Sequence, residues 1–143
     1  MSILFTFVPV QIISLQIRGY HCDAYGHVNN ARYLELLEEA RWKFLEPAIQ
    51  NSSFDFNKLL FVVVQIDISF KKPLVPNQWI DIDISHLEFK NSSISMVQEI
   101  RDKNTKEICT QATITFVLLD ATSHKPVSIS NDIKEKFENL IQQ

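Results

Sequence analysis

The alternation of apolar and polar positions changes period twice along this chain, and each change predicts a new kind of element. Ile13, Leu15 and Ile17 alternate with Ser14, Gln16 and Arg18, the period of two expected of a half-buried strand, which stops at Gly19. A loop over Tyr20 to Asn29 follows. From Asn30 the period becomes about 3.6. Tyr33, Leu34, Leu36, Leu37, Ala40, Phe44 and Leu45 gather on one side of a helical wheel, with Arg32, Glu35, Glu39, Lys43 and Glu46 opposite. Asn29 or Asn30 suits the N-cap, and Pro47, which lacks an N–H, is expected to end the helix. Two charges break the stripe: Arg41 falls within it and Glu38 at its shoulder, spaced so that they are expected to pair.

Residues 48–59 show no sustained period and read as a loop, with room for a short helix, pinned by Phe54 and Phe56. Strands take over after it. Leu60 to Phe70 places Val64, Ile66, Ile68 and Phe70 on one face, and stops at Lys71, Lys72 and Pro73. In Trp79 to Phe89 the apolar parity slips from Ile80, Ile82 and Ile84 to Leu87 and Phe89, which predicts a bulge near Ser85 and His86. Ile94 to Arg101 and Ile108 to Leu119 form a pair across the polar turn DKNTK, the second carrying Ile108, Ala112, Ile114, Phe116 and Leu118 on one face. Ile133, Phe137, Leu140 and Ile141 predict a closing amphipathic helix. The order strand, long helix, four strands, short helix implies an α+β domain: an antiparallel sheet of about five strands wrapped on one central helix. Its open edges make self-association expected.

Composition narrows the class. At 143 residues with 45% hydrophobic and 22% charged positions, the chain suits one folded domain rather than a disordered segment. A net charge of -3 argues against nucleic acid as a partner. The two cysteines, Cys22 and Cys109, make no disulfide framework and read as reduced thiols of a cytoplasmic protein. The apolar start lacks a positive charge before Arg18 and is broken by Pro9 and Gln11, so residues 1–9 are expected to be an extension of a domain over 10–143 rather than a signal peptide or a membrane span.

Chemistry concentrates at the loop before the long helix. Asp23 lies a few residues ahead of the unpaired amides of a helix start, which favour negative charge. By itself this is equally the place for an Asx-turn or capping residue. His27 suits either a structural or a substrate-orienting role. His21, Cys22, Asp23 and His27 are metal-ligand types, but lack CxxC or HExxH spacing, so no metal is expected. Cys22 is expected to be a small buried residue rather than a nucleophile.

The segment DAYGHVNNARYLELLEEARW, with RGYH before it, FVVVQIDISFKKP and ITFVLLD, resembles the hot-dog-fold acyl-CoA thioesterases of the 4-hydroxybenzoyl-CoA thioesterase superfamily, and among them the bacterial long-chain enzymes. The resemblance covers nearly everything after about Gln11. It implies that the backbone N–H of Asn30 polarises a thioester carbonyl, while Asp23 attacks the carbonyl or deprotonates a water that does. His27 is a third candidate. It further implies an acyl-CoA substrate, a place in fatty acid metabolism, no cofactor, and a homo-oligomer, dimer or tetramer, with sites at protomer interfaces. Tyr33, Glu38, Lys71 and Lys72 are the candidate substrate-binding residues. Tyr33 also reads as core, and the lysines as a solvated strand end. A hot-dog hydratase and a non-catalytic acyl-CoA binding module are the other readings. A hydratase would need an Asp and His paired at another spacing than DAYGH.

Overall fold

The structure, a computed structural model, describes residues 3–6 and 12–141. Its elements are β1 (Ile3–Thr6), β2 (Ile12–Gln16), α1 (Asn30–Gln50), β3 (Leu59–Phe70), β4 (Trp79–Phe89), β5 (Ser93–Asp102), β6 (Ile108–Asp120) and α2 (Asn131–Ile141), in the predicted order from β2 onward. All strand pairs are antiparallel, in the order β1-β4-β5-β6-β3, with β2 also on β4. This is a hot-dog fold: the sheet curls around α1, which buries Leu36, Leu37, Ala40 and Phe44 against it.

The sheet has six strands rather than about five. The additional one occupies no new position in the sheet. β2 pairs with the first half of β4, from Trp79 to Asp83, and β1 with the second half, from His86 to Phe89. Between these two segments lies the predicted bulge, where the register with β5 shifts between Ile84 and His86. Thus four residues of the anticipated N-terminal extension belong to the sheet; the remainder of 1–9 lies outside the described residues.

Three local expectations are corrected. Pro47 does not end α1, which runs on to Gln50. The missing Pro47 N–H leaves a gap in the ladder. Tertiary contacts nevertheless hold the last turn: Ala48 is buried, its carbonyl accepts from Ser53 N at 2.9 Å, and Phe54 is buried behind it. Leu34, placed in the apolar stripe, is 40% exposed. In β3 a second bulge, between Val63 and Gln65, turns Val64 outward and puts Phe61 in the aromatic cluster while Ile66 and Ile68 still meet the core. Period-two counting carries no sign of a bulge inside an unbroken apolar run.

The far end of the core is aromatic. Phe137 of α2 is fully buried, with ring centroids of Phe54, Phe61 and Phe116 at 5.1, 5.8 and 5.9 Å. This cluster closes the sheet under the second half of α1.

Candidate active site

The loop ahead of α1 is a small hairpin. Cys22 and Val28 form an antiparallel bridge, Asp23 N donates to His27 O at 2.9 Å, and Gly26 supplies the positive φ, 75°, that the turn requires. The Asp23 carboxylate caps this turn, one oxygen accepting from Tyr25 N at 2.9 Å. It is therefore the Asx-turn residue that local chemistry allows. Asp23 is also exposed, and its second oxygen has no hydrogen-bond partner among the described residues, so the turn role leaves that oxygen open.

The helix start is prepared by Asn29, whose side chain accepts from Ala31 N at 3.0 Å, while its carbonyl accepts from Arg32 N at 2.8 Å. The cap skips the first amide: Asn30 N–H makes no hydrogen bond among the described residues. Val28 N donates to Leu74 O at 2.9 Å, which ties this entry to the strand connection after β3, and Asn29 N donates to His21 O at 2.9 Å, which closes the loop on itself.

Asp23, His27, Asn30, Tyr33, Lys71 and Lys72 line one recess of about 380 Å3 between the helix start and the end of β3. The structure thus brings together every candidate of the sequence reading except Glu38. Tyr33 forms the floor. It is buried, stands edge-on to Phe70 at 4.9 Å, and its hydroxyl accepts from Leu74 N at 3.3 Å. Burial pushes its phenol pKa up, the hydrogen bond from Leu74 partly offsetting this. The two lysines sit at the rim. Lys71 Nζ donates to Gln111 at 3.3 Å, and Lys72 pairs with Glu107 at 2.7 Å, a hydrogen bond that raises the Lys72 pKa.

Residues of metal-ligand type nearby are held apart by other partners. His21 Nδ1 accepts from Arg18 N at 2.9 Å, and the Cys22 thiol donates to Arg18 O at 3.7 Å. Burial, then the charge of Asp23, pushes the Cys22 thiol pKa up, away from nucleophilic character. Among the described residues, no three His, Cys, Asp or Glu side chains converge as a metal would need.

Glu38 lies elsewhere, in a narrow cleft of about 90 Å3 beside the second half of α1, with walls formed by Phe44, Leu45, Phe61, Met96 and Phe116. The expected Glu38–Arg41 pair does not form. Arg41 donates instead to Gln98 Oε1 at 3.0 Å, and Glu38 accepts from Trp42 Nε1 at 3.4 Å. Gln98 escaped notice in the sequence. The signal was there: it shares the parity of Ile94, Met96 and Ile100, so an amide occupies a core-facing position. The structure buries it completely and uses its Nε2 to donate to Leu37 O at 3.0 Å.

The sheet wrapped around α1 gives the architecture, and comparison with known proteins defines the class: a thioester hydrolase. The chain belongs to the thioesterase-like superfamily, whose family model matches residues 17–137. It is 35% identical over 128 residues to the long-chain acyl-CoA thioesterase FadM of Escherichia coli K12, covering 90% of this chain and 97% of that protein. It is 28% identical over 131 residues to the acyl-CoA thioesterase YbgC of Haemophilus influenzae, covering 89% and 95%. Among solved structures it is similar to YbaW, a probable thioesterase from Escherichia coli, with a TM-score of 0.84 and 35% identity over 91% of this chain and 98% of that one.

Proposed function

We propose that this protein hydrolyses long-chain fatty acyl-CoA to free fatty acid and CoA, with Asp23 and the Asn30 N–H as its catalytic groups. The observation that carries this reading is the shared recess of a free carboxylate oxygen and an unpaired helix-start amide. A developing oxyanion is stabilised most by donors already in place and needing no reorganisation. Asp23 then either attacks the carbonyl carbon, releasing the thiolate and forming a mixed anhydride that water cleaves, or takes a proton from the water that attacks. A thiol with an ordinary pKa of about 8.5 leaves without a strong general acid. No cofactor is required by that chemistry. His27, at the rim, orients the substrate, and the lysines meet the CoA phosphates, Lys71 more freely than the paired Lys72.

Support for an acyl-CoA substrate comes from the names of the relatives FadM and YbgC, and support for a long chain from the apolar cleft further along the same helix. The β3 edge favours a homo-oligomer. Among the described residues β3 pairs with β6 alone, and Val62, Val63 and Val64 stand exposed along it. Joining two such edges would put each recess, at the end of β3, next to a second protomer.

The test follows CoA thiol release from acyl-CoAs of increasing chain length. Wild type is expected to favour long chains, and Asp23→Asn to lose about a thousandfold in kcat, within the range for a lost nucleophile or base, with its Tm unchanged. Full turnover by the variant would remove Asp23 from the mechanism. A wild type that cleaves no acyl-CoA, yet hydrates crotonyl-CoA, would replace hydrolysis with hydration.

A further inference from the structure

The cleft beside the second half of α1 contains an unusual feature for an alkyl site: two opposite charges that form no ion pair with each other. Arg41 is half-buried there and Glu38 lies one helical turn before it, both lining walls otherwise built by aromatic and aliphatic side chains. Arg41 is not a surface residue lying against the cleft by chance. Gln98, fully buried on β5, is fixed by its bond to Leu37 O and presents its carbonyl to the guanidinium at 3.0 Å. That is the single hydrogen bond of Arg41 among the described residues, leaving most of its five N–H donors without a protein acceptor. Desolvation by burial pulls the Arg41 pKa down, and the charge of Glu38 pushes it back up without coming to ion-pair distance. Glu38 has only the long contact with the Trp42 indole.

We propose that this cleft selects acyl chains bearing a hydroxyl group remote from the thioester, the hydroxyl oxygen accepting from Arg41 and the hydroxyl proton donated to Glu38. Arginine only donates and a carboxylate only accepts, so a group that does both, and carries no charge, completes the pair. A carboxylate would satisfy Arg41 but face Glu38. A plain methylene chain would displace water from the Arg41 N–H donors that Gln98 leaves open, which costs free energy. From Asn30 to Arg41 the helix advances about 16 Å at about 1.5 Å per residue, so a substrate reacting at the helix start reaches this pair only with the distal part of a long chain. The inference rests on the thioesterase reading above and adds its substrate class.

The experiment compares kcat/KM for CoA release from ω-hydroxypalmitoyl-CoA, palmitoyl-CoA and the CoA monothioester of hexadecanedioic acid, using wild type, Arg41→Met and Glu38→Gln. Ratios taken within each variant cancel losses of folded protein. Wild type is expected to favour the hydroxylated chain about tenfold over palmitoyl-CoA, a modest preference for a hydroxyl-binding site because this one is only half-buried. The diacid thioester is expected to be the poorest of the three. Arg41→Met should bring the first ratio to one or below, and Glu38→Gln, at an exposed position, should improve the diacid. In wild type alone, free ω-hydroxypalmitic acid should inhibit more strongly than palmitic acid. Equal use of hydroxylated and plain chains, with a ratio unmoved by Arg41→Met, would overturn the inference while leaving the thioesterase reading intact. A preference for the diacid would also overturn it. No hydrolysis of any of the three would bring down both.

Discussion

The two ends of α1 solve different problems with different parts of the chain. At its start the proposed catalytic groups are a backbone amide and an exposed carboxylate, held by a hairpin of seven residues from Cys22 to Val28 and by the Asn29 cap. Along its second half the working groups are side chains from α1, β3, β5, β6 and α2, drawn together only by packing around Phe137. The first end is built mainly from local hydrogen bonds, with a long-range tie from Val28 N to Leu74 O. The second is a property of the core, so that its shape and the stability of the fold cannot be separated.

The sharpest way to break this contrast is Phe137→Ala. Removing the ring at the centre of the aromatic cluster is expected to cost about 3–5 kcal/mol of stability, read by chemical denaturation. In the protein that remains folded, discrimination between long and short acyl chains should fall while turnover of short ones persists. A uniform loss across chain lengths would mean that the two ends are not separable.

Val63→Trp probes the far end without emptying it. Its side chain lines the cleft from β3, and a larger one there should raise KM for long-chain acyl-CoA about tenfold, about 1.4 kcal/mol, leaving the shortest substrates unaffected. At the near end, Asn29→Ala removes the cap and should cost about 1 kcal/mol of stability. Because the cap also sets where the Asn30 N–H lies, kcat should drop for all chain lengths alike.

The smallest effect is expected away from both ends. Asp83 is buried on β4, with Oδ1 unpartnered among the described residues. Burial, and then the neighbouring Glu99, raise its pKa above the ordinary carboxylate range, against the opposing pull of Arg101 at 3.4 Å. The folded state thus holds this proton more tightly than the unfolded one, and stability falls as pH rises from the ordinary carboxylate range through the raised value. Asp83→Asn cannot ionise, so its Tm should exceed that of wild type by about 1–3 °C at neutral pH, with the gain gone below the ordinary carboxylate range. Activity should not change at either end of α1.

How much of this was legible before the fold depends on the range of the interactions involved. The loop before the helix, the cap at Asn29 or Asn30, the apolar stripe of α1 and the bulge in β4 all show in the sequence, since each is set by neighbours a few residues apart. With them came the position of Asp23 ahead of an open helix start. The role attached to these residues came from a resemblance, because an Asp in a turn before a helix reads equally well as a cap.

Other features depended on contacts that no local pattern records. Pro47 should stop a helix, yet burial of Ala48 and Phe54 carries α1 one turn past it. Arg41 faces Glu38 at helix spacing, yet the buried Gln98, 57 residues away in sequence, takes its hydrogen bond. Lys71 and Lys72 reach the recess because β3 ends against the helix start, where Val28 N meets Leu74 O. The sequence by itself determined the order of elements from β2 onward and the carboxylate at the head of α1, since short-range sterics and hydrogen bonding suffice for both. Only the tertiary structure decided which distant side chains line each end of that helix, since long-range packing outweighs local preference wherever a side chain has more than one partner within reach.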